Sequence, residues 1–513
     1  MTIARHPLHR IPGIVAVLAA LLADAGCTVG PNFVEPQPTA PADWSSWHGG
    51  SANLVANVDT GTPLQPDWWR AFHDPVLDQL EQRAFAASPD LQTAALHFAQ
   101  ARVQRSTVAA QRGPDVSVGG GATRQRSSEY GASTRIVNAL AADRSELTKV
   151  LSQPYTLYQA GFDASWELDL WGRVRRSIEA ADADVAQQKA LLDAARLSIA
   201  SDVARNYFQL RTTQRQIRLT KDEIATLEQR LKLVEARVQA GALDHLDLDQ
   251  QRTEWLALKS QLPGLMAQAG ASQNQLTLLL GERPGALRDK LRPQGERNPA
   301  LPPDLALGLP SEVARRRPDI RAAEARLRSA TANIGVAKAD LYPHVTLGAH
   351  FGYESYSSGE FGDWGSRAWS VGPSLNLPLF DHGRRKSVVV LRELQQQEAA
   401  VAYQRTVLRS WQEIDDALSG YASARAKTRQ LADRVRSAKD AYDLTQARYD
   451  AGAVDFVTLL DSQRALLQAR RDRVASQGQL DIEFVAVNKA VGNVSDGHAT
   501  LADARPAVPY REQ

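Results

Sequence analysis

The chain has 513 residues, 43% of them apolar, and a formal net charge of +2. Its length allows one or more large buried cores, and its near-neutral charge gives no electrostatic reason to expect nucleic acid as a partner. A single cysteine, Cys27, excludes a disulfide framework and a thiolate metal cluster.

Residues 1–26 have the pattern of an export signal peptide. Arg5 and Arg10 provide the positive start, and the apolar stretch 11–22 is shorter than the roughly 20 residues that span a bilayer. Cys27 follows Ala25-Gly26, where lipoprotein signals place their acylated cysteine. Asp24 departs from that pattern and leaves ordinary cleavage open, but lipidation of Cys27 is the expectation, and Thr28 favours sorting to the outer membrane.

Residues 27–75 are predicted to form a periplasmic tether rich in proline and tryptophan. Trp44, Trp47, Trp68 and Trp69 indicate that it docks against an apolar surface. Helical periodicity follows from Pro75 to Arg112, with a break at Pro89. The first structural repeat is therefore expected to occupy residues 76–282.

Two very long helices dominate the remaining chain. The segments 173–240 and 384–451 lack proline, are bracketed by glycines and are offset by 211 positions. The shorter helical segments that begin at Pro89 and Pro318 are offset by 229 positions. The regular offsets indicate an internal duplication. The difference of 18 residues between the two offsets predicts an exposed loop around 124–154, where the first repeat is longer.

Each repeat also contains residues that alternate between apolar and polar. In the first repeat, polar residues alternate with Phe162, Ala164, Trp166, Leu168 and Leu170. In the second repeat, they alternate with Val371, Leu375, Leu377 and Leu379. With shorter strands after Pro114 and Pro343, this predicts four strands in two hairpins. Strands of about ten residues suit a transmembrane β-barrel, which four strands cannot close. Several chains are therefore expected to share one barrel.

After each long helix a glycine turns the chain back. Returning helices are predicted from about Leu243 to Leu280 and from about Val454 to Val491, the first kinked at Pro263. A proline-rich connector is expected at 283–311, the second repeat at 312–492 and a disordered tail at 493–513. The run Arg315-Arg316-Arg317 is interpreted as a solvated helix start before Pro318.

Several stretches resemble the outer-membrane efflux protein family, the TolC-like channels, and most closely its NodT-type lipoprotein branch. They are Cys27 to Phe33, Trp68-Trp69, Trp166 to Arg173, Arg316-Arg317-Pro318-Asp319-Ile320, Pro378 to Asp381 and Leu459-Leu460-Asp461 with Gln463. The resemblance implies a mainly α fold with a membrane β portion. Duplicated helical hairpins would form a periplasmic α-barrel, and four strands per chain would contribute to a trimeric 12-stranded β-barrel.

The resemblance also implies a function and partners. Three chains would form the exit duct of a tripartite efflux pump, with a periplasmic adaptor protein and an inner-membrane transporter, expected to be of the resistance–nodulation–division type. The duct would be lipid-anchored in the outer membrane of a Gram-negative cell and conduct small molecules passively. No catalytic residue, cofactor, metal or nucleic acid is expected.

Site residues follow from the same resemblance. Asp461 matches the position whose carboxylates ring the periplasmic constriction, where some relatives carry a second aspartate and this chain has Thr458. The alternative for Asp461 is an exposed pair with Arg464. The adaptor-contact tips are Gly241, Ala242, Leu243 and Asp244, with Gly452, Ala453, Val454 and Asp455 in the second repeat. The cluster Asp244, His245, Asp247 and Asp249 lacks calcium-loop and zinc spacing.

Two other functions are compatible with this pattern. One is the outer-membrane channel of a protein-secretion system, which shares the fold. The other is a periplasm-spanning structural protein whose helices bundle without a pore. Such a bundle requires apolar residues along its axis, whereas the candidate inward residues here are often polar or small.

Overall fold

The computed structural model describes residues 28–37, 40–56, 58–59, 64–131, 144–293 and 305–494. The export signal, Cys27, part of the connector and the tail beyond 494 therefore lie outside the described residues. The chain folds into two compact units. The first comprises residues up to Val34 with Ala101–Val185 and Arg326–Ala399, and the second comprises Glu35–Gln100, Ala186–Ala325 and the residues from Ala400 onward.

The described elements are helices of very different lengths and six strands. In chain order they are β1 (Val58–Asp59), α1 (Pro75–Ala87), α2 (Pro89–Ala110), β2 (Asp115–Gln125), α3 (Arg144–Leu151), β3 (Tyr155–Leu168), α4 (Arg173–Gln239), α5 (His245–Leu279), β4 (Leu305–Ala306), α6 (Pro310–Arg316), α7 (Pro318–Ala339), β5 (His344–Ser355), β6 (Arg367–Asn376), α8 (Arg384–Asp450) and α9 (Phe456–Ala490). Three short 3₁₀ turns lie at Ala52–Leu54, Trp68–Phe72 and Trp364–Ser366. None of the described helices is both long and apolar enough to cross a membrane.

The helices repeat in length as well as in sequence. α4 and α8 have 67 residues each, α5 and α9 have 35 each, and α2 and α7 have 22 each. At 1.5 Å per residue the longest pair measures about 100 Å along each helix axis. The predicted ends of α4, α5, α8 and α9 agree with the structure within two residues, because glycine and proline mark them.

The first unit contains a four-stranded antiparallel sheet. Its strand order is β2-β3-β5-β6, so β3 and β5 join the two repeats. The pairing places Val118, Phe162, Phe351 and Trp369 in one row across the four strands. These side chains are 72%, 58%, 48% and 68% exposed, so this face of the sheet is apolar and uncovered in the single chain.

The opposite face is polar. The neighbouring row across the same four strands is Ser117, Asp163, His350 and Ser370. The Asp163 carboxylate lies 2.8 Å from Nδ1 of His350. Successive side chains of a strand point to opposite faces, so the predicted alternation produces one apolar and one polar face.

Two predictions about the elements need correction. The predicted alternation continues to Leu170 and Leu379, whereas β3 ends at Leu168 and β6 at Asn376. Asp169 instead accepts hydrogen bonds from the amides of Val174 and Arg175, which stabilises the start of α4. The loop expected around 124–154 contains the helix α3. Pro263 lies inside α5, and the kink expected there stays a prediction.

Three of the four N-terminal tryptophans pack against the second unit as predicted, whereas Trp47 is 47% exposed. Trp68 and Trp69 are 3% and 4% exposed and belong to its main apolar core. The Trp44 indole lies edge-on to Trp411 and donates from Nε1 to the carbonyl of Gly308 at 2.9 Å. β1 pairs in parallel with β4, so residues before α1 are bound to the connector.

Arg317 corrects the interpretation of the arginine run as solvated. Arg315 and Arg316 are exposed, but Arg317 is 5% exposed in the second unit. Its guanidinium donates to both carboxylate oxygens of Asp319, at 3.0 and 2.7 Å, and to Glu413 at 2.6 Å. It also donates to two backbone carbonyls, those of Ser410 and Ala490. Arg317 therefore joins α7, α8 and α9.

Candidate functional site

The two helical hairpins of the second unit end in equivalent turns. Gly241 and Gly452 have φ of 71° and 73°, the left-handed conformation that favours glycine. The next residue donates its amide to the preceding helix, Ala242 to Arg237 and Ala453 to Arg448, at 2.9 and 2.8 Å. This is the glycine-dependent motif that ends many helices. It explains why Ala-Gly-Ala occurs at both positions.

The residues after these glycines begin the returning helices. Asp244 accepts from the amide of Leu246 at 3.5 Å, and Asp455 accepts from that of Thr458 at 2.8 Å. Hydrogen bonds from the Thr458 hydroxyl and amide lower the pKa of the Asp455 carboxyl. Asp455 therefore caps α9, and Thr458, predicted near the constriction, donates the capped amide.

A small apolar core joins the ends of the two hairpins. Val234, Leu248, Phe456, Leu459 and Leu460 are buried in it, with Leu243 packed against them. Among the other predicted tip residues, Val454 is half-buried and Gly241, Ala242, Asp244, Gly452, Ala453 and Asp455 are exposed. Most predicted adaptor-contact residues are therefore accessible in the single chain.

One polar group near this core was not identified from the sequence. Arg230 of α4 donates to the Tyr442 hydroxyl at 2.5 Å, to Gln446 at 3.0 Å and to Gln463. These partners lie on α8 and α9. A single arginine within a long polar helix carries no sequence signal of such a role, although Gln463 belongs to a stretch that the sequence analysis singled out.

Asp461 lies on α9 in the second turn after its start. Its side chain is 67% exposed, and Oδ1 is 3.5 Å from Nη1 of Arg464. Arg464 makes a shorter contact, 2.9 Å from Nε to Glu254 of α5. The predicted pair with Arg464 is therefore present but long, because the guanidinium lies between two carboxylates. Most of the Asp461 carboxylate stays open to solvent.

Two buried carboxyls lie between α4 and α9, farther from the turns. Asp481 is fully buried, 3.8 Å from Arg215, and burial raises its pKa to about 7. Glu223 is 4% exposed and accepts from Arg471 at 3.1 Å; burial also raises its pKa to about 7, although Arg471 opposes the shift. α4 supplies the arginine in one pair and the carboxylate in the other, which favours one register of the two helices.

Cys27 is outside the described residues, but the chain directly after it is well held in the first unit. The Val29 amide donates to the Trp171 carbonyl at 3.2 Å, and Arg176 donates to the Asn32 side chain at 2.7 Å. Thr28 lies against Gly172, where an added Cβ would come within 2.6 Å of it. The residues next to Cys27 are therefore fixed where β3 leads into α4.

The repeats, the sheet and the hairpin turns together agree with a known family. The family model of the outer membrane efflux protein matches residues 80–282 and 309–493. The chain belongs to this family.

Similar proteins extend over almost the whole chain. The pyoverdine export outer membrane protein OpmQ of Pseudomonas putida is 32% identical over 96% of this chain and 98% of its own. Outer membrane protein OprJ of Pseudomonas aeruginosa is 31% identical over 95% and 97%.

Solved structures show the same fold. The outer-membrane channel OprN is 30% identical and has a TM-score of 0.81, covering 91% of this chain and 99% of its own. The open state of the Neisseria gonorrhoeae MtrE outer membrane channel is 28% identical, with a TM-score of 0.72 over 91% and 98%. The chain therefore has the fold of a TolC-like outer-membrane channel.

Proposed function

We propose that this protein is the outer-membrane exit duct of a tripartite efflux pump. It conducts small molecules passively from an inner-membrane transporter and a periplasmic adaptor to the outside of the cell. The observation that carries the proposal is the four-stranded sheet, with one apolar exposed face and one polar face. Family membership and the channel fold of its relatives support the same function.

The sheet indicates how a pore forms. Among the described residues, β2 and β6 each pair along one side only, so both outer edges are open. In lipid, an unpaired backbone group costs several kcal/mol, so strands that face lipid require a closed barrel. Three copies supply twelve strands, enough to close one. The apolar row of Val118, Phe162, Phe351 and Trp369 then faces lipid.

The polar face of the same sheet then lines the lumen. Ser117, Asp163, His350 and Ser370 give it hydroxyl, carboxylate and imidazole groups that water can solvate. The long helices of three chains continue the duct as a hollow helical barrel in the periplasm. Catalysis is not required, because the transporter supplies the energy and the duct supplies a path.

The partners are assigned to particular parts of the chain. The exposed turns at Gly241 and Gly452 contact the adaptor, and the transporter, expected to be of the resistance–nodulation–division type, reaches the duct through that adaptor. Asp461 supplies one carboxylate per chain to a constriction, where three negative charges attract cations. Thr458 lies one turn earlier and adds no charge, because its side chain is a neutral hydroxyl.

Acylation of Cys27 anchors the chain to the outer membrane. The contacts of Thr28 and Val29 with the segment between β3 and α4 support this assignment, since they hold the chain next to Cys27 beside the sheet. The lipid anchor and the proposed membrane-spanning sheet then attach the same part of the protein to the membrane.

The assignment of the two sheet faces is tested by one pair of variants. Val371→Lys places a charge on the apolar face, and a lysine facing lipid near the midplane costs about 2–4 kcal/mol. Ser370→Lys places the same charge on the neighbouring polar face. We expect Val371→Lys to lose most outer-membrane trimer and Ser370→Lys to retain it, measured by membrane fractionation and semi-native gels. Equal assembly of the two variants would contradict the assignment.

A further inference from the structure

Residues 43–51, here called the strap, follow one face of α8 in the second unit. Their contacts on α8 are spaced by one helical turn, at Trp411, Asp415 and Ser419. Trp47 lies edge-on to the first of these residues, with 5.9 Å between the ring centroids. His48 contacts the second, and a Cβ added at Gly50 would lie 3.7 Å from the hydroxyl oxygen of the third. No strap residue belongs to a helix or a strand, so the strap depends on side-chain contacts for its position.

His48 makes the central contact of the strap. Its Nδ1 lies 2.6 Å from Oδ1 of Asp415, and its Nε2 lies 3.0 Å from the carbonyl oxygen of Ser51. The other carboxylate oxygen of Asp415 accepts from the Gly49 amide at 3.0 Å. The His48 side chain is 9% exposed, so water has little access to replace these bonds.

The two ring nitrogens of His48 require two protons. Both nitrogens face atoms that can only accept a hydrogen bond, an ionised carboxylate and a backbone carbonyl. A neutral imidazole carries one N–H and satisfies one of these acceptors, whereas the imidazolium satisfies both. The geometry therefore fits the charged form of His48, paired with the Asp415 carboxylate.

The charged groups around His48 favour the same form. The hydrogen bond to Asp415 is the largest cause that raises the pKa of His48, followed by the bond to the Ser51 carbonyl, while burial opposes both. Asp43, the acidic residue of the strap, bonds instead to a neighbouring serine. Glu413 of α8 pairs with the buried arginine described above. Asp415 is therefore the carboxylate that faces His48 from α8.

We propose that His48 and Asp415 form a pH-sensitive clasp that fastens the strap to α8. In acid, the imidazolium bridges the Asp415 carboxylate and the Ser51 carbonyl, and the strap is held. As the pH rises, loss of one proton leaves a ring nitrogen without a hydrogen opposite an acceptor, and the strap loosens.

The direction of this pH dependence follows from the raised pKa of His48. The docked strap binds the proton more tightly than the released strap, in which His48 has its ordinary pKa of 6.5. The clasp is therefore at full strength below that pH and weakens as the pH rises through the higher pKa of the docked state.

Loosening of the strap changes the surface next to α8. Trp411 is 8% exposed and belongs to the main apolar core, so movement of Trp47 away from it uncovers part of that core. Trp44 also lies edge-on to Trp411 and donates to the Gly308 carbonyl, and these contacts do not involve His48. The clasp therefore adjusts the mobility of the strap without releasing the whole tether, and it acts whether or not the duct conducts.

Hydrogen–deuterium exchange of the purified full-length protein tests the clasp. Mass spectrometry of peptides that cover residues 43–51 measures the protection of the strap amides, corrected for the chemical exchange rate at each pH. We expect wild-type protection to be at least about threefold higher at pH 6 than at pH 8.5. His48→Gln cannot take up a proton and Asp415→Asn lacks the carboxylate, so both should show low protection that is the same at the two pH values.

His97→Gln is the matched control, because it removes another histidine of the second unit, one that is exposed on α2 and lies 3.4 Å from Gln100. It should keep the wild-type pH dependence of the strap. Wild-type protection that does not change with pH would overturn the clasp, and a contact that is only structural gives that result. A decrease with pH that persists in His48→Gln, or one that disappears in His97→Gln, would overturn it as well.

Discussion

Arg317 is the side chain whose environment differs most from its sequence context. It is buried and bonded to Asp319, Glu413 and two backbone carbonyls, whereas the adjacent Arg316 is exposed. Arg317→Ala removes a donor from the buried carbonyls of Ser410 and Ala490, which costs about 1–3 kcal/mol, whereas water can solvate the half-exposed carboxylates of Asp319 and Glu413. We therefore expect Arg317→Ala to lower the thermal midpoint of purified trimers strongly. Arg316→Ala is the control, and an equal effect of both changes would contradict the role of Arg317.

The buried carboxyls predict how stability depends on pH. Asp481 and Glu223 have folded pKa values of about 7, above ordinary values of 3.8 and 4.5, and burial is the cause. Each group therefore holds its proton to a higher pH in the folded state than in the unfolded state. Unfolding releases protons between about pH 4 and pH 7, so stability decreases as pH rises through that window and levels off above it.

Asp481→Asn removes one of these two titrating groups. We expect the wild-type thermal midpoint to fall between pH 5 and pH 8, and that of Asp481→Asn to fall by less, since Glu223 and the buried Glu81, whose pKa burial also raises, still titrate. The control is Asp443→Asn on α8, an exposed carboxylate paired with Lys439. An unchanged pH dependence in Asp481→Asn would show that burial of this carboxyl is not linked to unfolding.

At the residue scale, the sequence predicted where the site residues lie in the fold better than it predicted which side chains are buried. Asp461, Thr458 and the turn residues follow from motifs, and the structure places them at or close after the hairpin turns. Their roles in adaptor contact and constriction remain predictions. Burial of Arg317, Asp481 and Glu223 was not predicted, because it depends on packing between helices that are distant in sequence.

At the scale of elements, the hairpin of α4 and α5 offers two glycines with opposite predicted effects. Gly241 has φ of 71° and open space around it, so Gly241→Ala adds only backbone strain, about 1–2 kcal/mol. Gly264 lies inside α5 and also has open space, so Gly264→Ala should stabilise the helix by about 0.5–1 kcal/mol. Thermal unfolding of both variants measures the difference, and shifts of the same sign would contradict this account.

The elements themselves were largely predictable for a physical reason. Long runs of strong helix formers between glycines fix α4 and α8, and alternation fixes the faces of the sheet. The end of β3 was missed because capping by Asp169 competes with strand extension. The end of β6 was missed because Pro378 has no amide to extend the ladder, a signal that the alternation hides. The helix α3 was missed because it lies in the region where the repeats differ, so its counterpart gives no help.

At the scale of the whole molecule, duplication connects the sequence to the proposed duct. One chain presents two equivalent hairpins in its sheet and two equivalent helical hairpins, with one contact between repeats satisfied and one left open. In the proposed duct, three copies together close the sheet. The sequence predicted shared closure from the number of strands, but the identity of the two open outer strands, β2 and β6, required the structure.

Conductance of purified trimers in a planar bilayer tests the central claim most directly. The wild type should give discrete conductance steps that are small and favour cations, because three Asp461 carboxylates would lie at the entrance of the duct. Asp461→Ala should give larger, less cation-selective steps, while Asp443→Ala, an exposed carboxylate elsewhere on the helices, should resemble the wild type. Steps unchanged in Asp461→Ala would remove that residue from the constriction, and verified trimers that never conduct would contradict the exit duct itself.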